Sequence, residues 1–183
     1  PDAALSADSG SSGSDAITSS AALTAPTNTE TGATVEYRIQ AGAGSFGDWS
    51  GSYVAPTTNG AYTVEVRQTD VAGNVSDSQT ITFTLDDIKP SVPDAVLSTD
   101  SGSSGSDSIS SSAVLTAPTN TESGASVEYR IQAGSGSFGE WSITYTAPTS
   151  VGEYTVEVRQ TDDAGNVSDS QTITFTQDDI KPD

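Results

Sequence analysis

The chain repeats itself once, almost residue for residue, at an offset of 92 positions, so that Pro1 aligns with Pro93 and Trp49 with Trp141. Of the first 90 aligned pairs 73 are identical, and no gap is needed. Repeats that need their neighbours to complete a core are about 20 to 50 residues long, so this longer period predicts independent small domains. We therefore expect two tandem domains, 1–92 and 93–183, which include linkers at 86–92 and 178–183.

The composition excludes several classes of chemistry. Histidine, cysteine and methionine are absent, which rules out disulfides, thiolate or imidazole metal sites and catalysis by a histidine base. The net charge of −19 disfavours binding to nucleic acid and to anionic membranes, and no apolar stretch is long enough for a membrane helix. A solvated structural surface and the binding of hard cations through oxygen remain open to such a chain.

Apolar residues alternate with polar ones in short runs, as in strands that bury one face. The clearest runs are Val35–Ile39, Tyr62–Val66 and Ile81–Leu85, and shorter ones are Ala21–Thr24 and Tyr53–Val54. Turn-forming segments rich in Gly, Asn, Asp and Thr separate them. Six or seven strands in about 90 residues predict an all-β fold, namely two tandem Ig-like antiparallel β-sandwich domains arranged end to end.

Residues between the apolar positions have structural interpretations. Thr80, Thr82 and Thr84 are good strand formers that keep a sheet face soluble. Tyr62, two residues after Gly60, suits a tyrosine corner, in which a phenol ties down the preceding loop. Four glutamates each precede an arginine by two positions and predict weak cross-strand charge pairs: Glu36, Glu65, Glu128 and Glu157.

The aspartates, unlike the glutamates, fall almost entirely in loops and at the repeat junction. In an Ig-like sandwich the loop after the first strand, the chain exit and the turn before the last strand of the next repeat should meet at one junction. Crowded carboxylates repel each other without a counter-ion, and Ca²⁺ accepts six to eight oxygens in irregular loop geometry. We expect calcium ligands at the central junction from Asp8, Asp15, Asp86, Asp87, Asp94, Asp162 and Asp163.

The repeat mates Asp100, Asp107, Asp178 and Asp179 should serve the next junction, and Asp70 the preceding one. These loops are not EF-hands, because acids are missing at the required positions. The alternative is that aspartate caps turns without any metal, as it commonly does.

Two motifs resemble the bacterial Ig-like repeats of giant biofilm adhesins, which are type-I-secreted proteins of the repeats-in-toxin (RTX) class. One motif is Val66–Ser76 followed by Ile81–Asp87, and the other is Pro93–Ile109. The resemblance covers the whole chain twice, although the Gly-rich segment 41–46 departs from it. It implies calcium at inter-repeat linkers, rigid end-to-end stacking and a location outside a Gram-negative cell.

The sequence thus predicts a monomeric fragment of a structural extender, a calcium-rigidified spacer whose partners are calcium ions and neighbouring repeats of its own chain. An enzyme is not expected, since no acid pair lies in a recognisable cleft. The alternative is a carbohydrate- or surface-binding module, repeated for avidity, that uses an exposed Trp49 or Phe46 as its platform. We favour core packing as the role of Trp49, which argues for the extender.

Overall fold

The computed structural model describes residues 1–10 and 12–181, and the chain divides into two compact units. The first comprises Pro1–Ile88 and Asp163–Asn166, and the second comprises Lys89–Asp162 and Val167 onward. Ser11 in the first aspartate loop and Pro182–Asp183 in the expected terminal linker lie outside the described residues. Each unit is all-β, as predicted, and the described residues contain no helix, hence none that could span a membrane.

The first unit is built on one four-stranded sheet. Its strands are β1 (Ile17–Thr18), β2 (Thr34–Ala41), β3 (Gly60–Thr69) and β4 (Gln79–Leu85), in the spatial order β1-β4-β3-β2. Strands β2, β3 and β4 pair antiparallel, and β1 pairs parallel with β4. The three long strands are the three alternating runs that the sequence marks most clearly.

Alternation along these strands places one apolar face against the core. Val64 and Val66 of β3 are completely buried, and Phe83 and Leu85 of β4 are nearly so. Tyr37 and other apolar residues of β2 pack against this cluster while remaining partly accessible. The opposite face carries the threonines and the charged residues, as expected.

The second layer of the sandwich is a short ribbon rather than a regular sheet. It consists of isolated bridges between Asp2 and Thr27 and between Leu5 and Leu23. The strand predicted at Ala21–Thr24 is therefore reduced to a single bridge, and Tyr53–Val54 is not a strand. Pro26 contributes to this outcome, because proline cannot donate to a β-ladder.

Tyrosine hydroxyls form hydrogen bonds to backbone carbonyls that add to the few bridges of the ribbon. The Tyr62 hydroxyl donates to the carbonyl oxygen of Thr58 at 2.6 Å, which is the predicted tyrosine corner. The Tyr53 hydroxyl donates to the carbonyl oxygen of Ala21, 2.7 Å away. Burial raises the pKa of Tyr53 to about 12, so this donor keeps its proton at neutral pH.

The second unit repeats the architecture. Its strands are β5 (Ile109–Ser110), β6 (Ser126–Ala133), β7 (Gly152–Thr161) and β8 (Gln171–Gln177), in the order β5-β8-β7-β6. Strand β5 is parallel to β8, and the other pairs are antiparallel. Its core cluster contains the equivalent residues Ala95, Ala113, Val156, Val158 and Phe175.

We predict that Tyr53→Phe lowers the free energy of unfolding of the first unit by about 1–3 kcal/mol, because it leaves the Ala21 carbonyl without a donor. Tyr62→Phe is the matched control and should cost no more than about 1 kcal/mol, since its bond is solvent-exposed. Urea unfolding of both variants measures the difference. Equal losses would contradict the role assigned to the Tyr53 hydroxyl.

Candidate functional site

The loop between Asp8 and Asp15 is closed by its own carboxylates. Asp8 Oδ2 accepts a hydrogen bond from the amide of Ala16 at 3.2 Å, and Asp15 Oδ1 accepts one from the next amide, Ile17, at 3.0 Å. Ala16 has a φ of 58°, an unusual conformation for alanine that these two caps support. The structure therefore brings Asp8 and Asp15 together at one short segment of backbone.

The second unit contains the same loop. Asp100 Oδ2 accepts from the amide of Ser108 and Asp107 Oδ1 from that of Ile109, both at 3.1 Å. Ser108 has a φ of 59°, which matches Ala16. The loop conformation is thus a property of the repeat that survives the change from alanine to serine.

One carboxylate oxygen in each loop is buried without a hydrogen-bond partner. It is Oδ1 of Asp8 in the first unit and Oδ1 of Asp100 in the second. A buried carboxylate oxygen without a donor costs free energy, which a bound cation would offset. The orphaned oxygen lies in a loop rich in serine and aspartate. The possible metal ligands there are hydroxyl and carboxylate oxygens, which are the hard ligands that Ca²⁺ prefers.

The exit aspartates are held differently. Asp86 Oδ1 accepts hydrogen bonds from Asn59 Nδ2 at 3.0 Å and from the amide of Ile88 at 3.1 Å, whereas the neighbouring Asp87 is exposed. In the second unit, Asp178 Oδ1 accepts from the amide of Ile180 at 3.1 Å and Asp179 is exposed. Each pair places a turn-forming carboxylate beside one that faces solvent.

The other candidate ligands differ in their exposure and in their hydrogen bonds. Asp94 is exposed and accepts from Gln171 Nε2 at 3.0 Å, whereas Asp162 is buried directly after β7 and Asp163 is half-buried. Asp70 accepts from the side chain and the amide of Asn74 at 2.7 and 2.8 Å, and these bonds lower its pKa. Across residues 1–10 and 12–181, no three acidic side chains gather closely enough to hold a metal. A calcium site would therefore need backbone carbonyls and hydroxyls as well as carboxylates.

The outer face of each sheet carries a polar and aromatic network. In the first unit, Arg38 Nε donates to Glu65 Oε2 at 2.6 Å and Arg67 Nε to Glu36 Oε2 at 3.0 Å. These are the cross-strand pairs that the sequence predicts, because each arginine lies directly opposite its glutamate in the β2–β3 register. All four arginines of the chain belong to such pairs, the other two being Arg130 and Arg159.

Trp49 is not part of the core, so the packing role favoured from the sequence is wrong. The guanidinium carbons of Arg38 and Arg67 lie 4.6 and 3.9 Å from the centre of its ring, and Phe46 stacks on Arg38 at 4.6 Å. The Gly-rich segment after β2 folds back, with the amide of Gly47 bonded to the carbonyl of Ile39, and lays both rings over the outer face. Both rings remain half-buried.

The same arrangement surrounds Trp141, which lies 4.5 and 4.0 Å from the guanidinium carbons of Arg130 and Arg159. Sequence reasoning missed this stacking, although two signals were present. The paired arginines share one face of a strand pair, and a glycine-rich segment leads directly into the tryptophan. Arginine is the more frequent cation in cation–π contacts, and tryptophan is the most favourable ring.

The family model of the bacterial Ig-like domain matches the chain twice, over residues 1–87 and 88–179. The chain belongs to the bacterial Ig-like domain family. A search of curated proteins finds no match. Among solved structures, the chain is similar to fibronectin(III)-like modules of Clostridium thermocellum CbhA, with 12% identity, a TM-score of 0.47, and coverage of 88% of this chain and 87% of that one. Tandem bacterial Ig-like domains are consistent with a structural role, and a fold of this class is typically not enzymatic.

Proposed function

We propose that these bacterial Ig-like domains are structural extender repeats of a large surface adhesin outside a Gram-negative cell, secreted by a type I system as in the RTX class. The observation that carries the proposal is the near-identity of the two copies, each of which is a complete sandwich with its own core. Such an array adds length with each copy and needs no new binding chemistry. A fold free of disulfides suits a chain that crosses a secretion channel unfolded.

Calcium at the linkers is the second part of the proposal. The orphaned oxygens Asp8 Oδ1 and Asp100 Oδ1 support it, because the same buried atom lacks a donor in both units. Extracellular calcium modules bind at roughly 0.1–1 mM, and a tenfold excess over the dissociation constant stabilises the folded state by about 1.4 kcal/mol per site. We expect the larger effect on the linker, which a bound ion would change from flexible to rigid.

Small-angle X-ray scattering of the two-repeat chain tests this change. We expect an extended, stiff particle in calcium and a broader range of conformations in chelator. In Asp87→Ala the calcium-dependent difference should shrink, because the exposed exit carboxylate is one of the expected ligands. Identical scattering of the unaltered chain in calcium and in chelator would refute calcium as the source of stiffness.

Calcium affinity tests the ligands separately. Isothermal titration should show at least a tenfold weaker dissociation constant in Asp8→Asn, a change of about 1.4 kcal/mol, because asparagine keeps the size but removes the charge. Asp48→Asn is the matched control, since Asp48 is an exposed aspartate outside the aspartate loops. An unchanged affinity in Asp8→Asn, or an equal loss in Asp48→Asn, would exclude Asp8 as a ligand.

A second candidate function is favoured by the position of the tryptophans. Trp49 and Trp141 lie on the outer faces of the sheets and not in the cores. On an outer face, a carbohydrate ring could stack on them. If they form platforms, iodide should quench their fluorescence readily and a bound oligosaccharide should protect them. If the arginine stacks shield both rings, quenching should be weak and unchanged by oligosaccharides, and the extender alone would remain.

A further inference from the structure

The second half of the linker is bonded to the second unit by two side-chain amides. Gln160 Nε2 donates to the carbonyl of Ser91 at 2.6 Å, and Asn120 Nδ2 donates to the carbonyl of Val92 at 2.8 Å. Pro93, the next residue, is fully buried. Three consecutive residues are therefore fixed to one unit by neutral groups.

The Gln160 amide is held in place by the fold itself. The side chain is completely buried, its oxygen accepts from the amide of Glu122 at 2.9 Å, and its nitrogen also donates to the carbonyl of Asn120 at 3.1 Å. Gln68 of the first unit makes the equivalent bonds, to the Glu30 amide at 2.9 Å and the Asn28 carbonyl at 3.4 Å. The bond to Ser91 is thus added to an amide that is already oriented.

The first half of the linker is bonded to the first unit. Asn59 Nδ2 donates to Asp86 Oδ1 at 3.0 Å, and Asn59 Oδ1 accepts from the amide of Asp87 at 3.2 Å. One asparagine side chain thereby holds two consecutive residues. In the second copy, Val151 occupies the position of Asn59 and has no amide to offer.

Only a short segment lies between these two anchored halves. Ile88 is 67% exposed, and the contact between Lys89 Nζ and Asp169 Oδ1, at 3.6 Å, joins two largely exposed side chains and is worth little. Lys89 precedes a proline, which restricts it to extended conformations, and the φ of Pro90 is fixed by its ring. The Ile88 amide donates to Asp86 Oδ1 at 3.1 Å, so the remaining backbone freedom lies between that amide and Pro90, in the ψ of Ile88 and in Lys89.

We propose that Asn59 and Gln160 are positioning residues that fix the two halves of the linker without metal, so that the linker bends at Ile88 and Lys89. The hydrogen bonds from these amides require no ion. Only the use of a restrained linker rests on the proposed extender function. It places the bend directly after the exit pair Asp86–Asp87, which is where a bound calcium would act.

Backbone ¹⁵N relaxation of the intact two-repeat chain in chelator tests the proposal. The observable amides are those of Asp87, Ile88, Lys89, Ser91 and Val92. We expect order parameters of about 0.85 at Ser91 and Val92, as in the strands, and below about 0.6 at Lys89, whose amide, unlike that of Ile88, has no such anchor and turns with the ψ of Ile88. Order parameters below about 0.6 at Ser91 and Val92, or a strand-like value at Lys89, would overturn the proposal.

Three variants separate the two anchors. Gln160→Ala should mobilise Ser91 and Val92 but not Asp87, and Asn59→Val, which installs the residue of the second copy, should do the reverse. Asn120→Gly covers the case in which Gln160→Ala fails to fold, because glycine accepts the left-handed φ of 58° while losing the bond to Val92.

Strand-like order at Ser91 and Val92 in both Gln160→Ala and Asn120→Gly would refute the second anchor. Unchanged order at Asp87 in Asn59→Val would refute the first. Failure of the calcium proposal appears elsewhere, as an absence of any calcium effect on scattering, because every relaxation measurement is made in chelator.

Discussion

Each unit depends on hydrogen bonds from a glutamine side chain that join its two layers. Gln79, at the start of β4, accepts from the amide of Ala3 at 2.7 Å and donates to the Ala3 carbonyl at 2.9 Å. Its side chain thus reproduces both hydrogen bonds of a β-bridge. Gln171 accepts from the amide of Ala95 at 2.7 Å in the same way, whereas its Nε2 donates to Asp94 Oδ1 at 3.0 Å. The ribbon has isolated bridges in place of regular ladders. These glutamine side chains therefore supply hydrogen bonds between the two layers that backbone pairing does not.

The predictable part of the fold is the part that depends on apolar alternation. Strands β2, β3 and β4 were predictable because each buries one face and exposes the other, which leaves a period of two in the sequence. The ribbon and β1 were not, since hydrogen bonds from Gln79 or pairing over two residues leave no periodic trace. The Tyr62 corner was predictable from a local motif, whereas the position of Trp49 depends on how a glycine-rich segment folds back.

The same division applies to the candidate site. The pairing of Asp8 with Asp15 in one loop follows from their spacing, because both flank the turn that leads into β1. The orphaned oxygen of Asp8 is visible only in three dimensions, since it depends on which carboxylate oxygen the Ala16 amide takes. Asn59 was missed because a single amide beside a glycine looks like ordinary turn composition.

Charge distribution makes the aspartate loops the part of the chain where a cation would relieve the most repulsion. Of six basic side chains, the four arginines are committed to glutamates and aromatic rings on the outer faces. Only Lys89 and Lys181 remain for loops and linkers that hold most of the aspartates. Internal pairing therefore neutralises the sheets but leaves the ends of each repeat strongly negative.

In the proposed linker, neutral amides and a bound cation would restrain different parts of the backbone. Amide side chains can fix backbone carbonyls such as that of Ser91 at any calcium concentration, because they carry no charge and are oriented by the fold. They cannot relieve repulsion between the exit carboxylates Asp86 and Asp87, which only a cation can neutralise. If both halves of the linker are anchored as proposed, a calcium ion would have to restrain no more than the backbone of Ile88 and Lys89. At a tenfold excess over the dissociation constant a calcium ion would contribute about 1.4 kcal/mol per site, which offsets part of the entropy, about 2–4 kcal/mol, that ordering two residues costs.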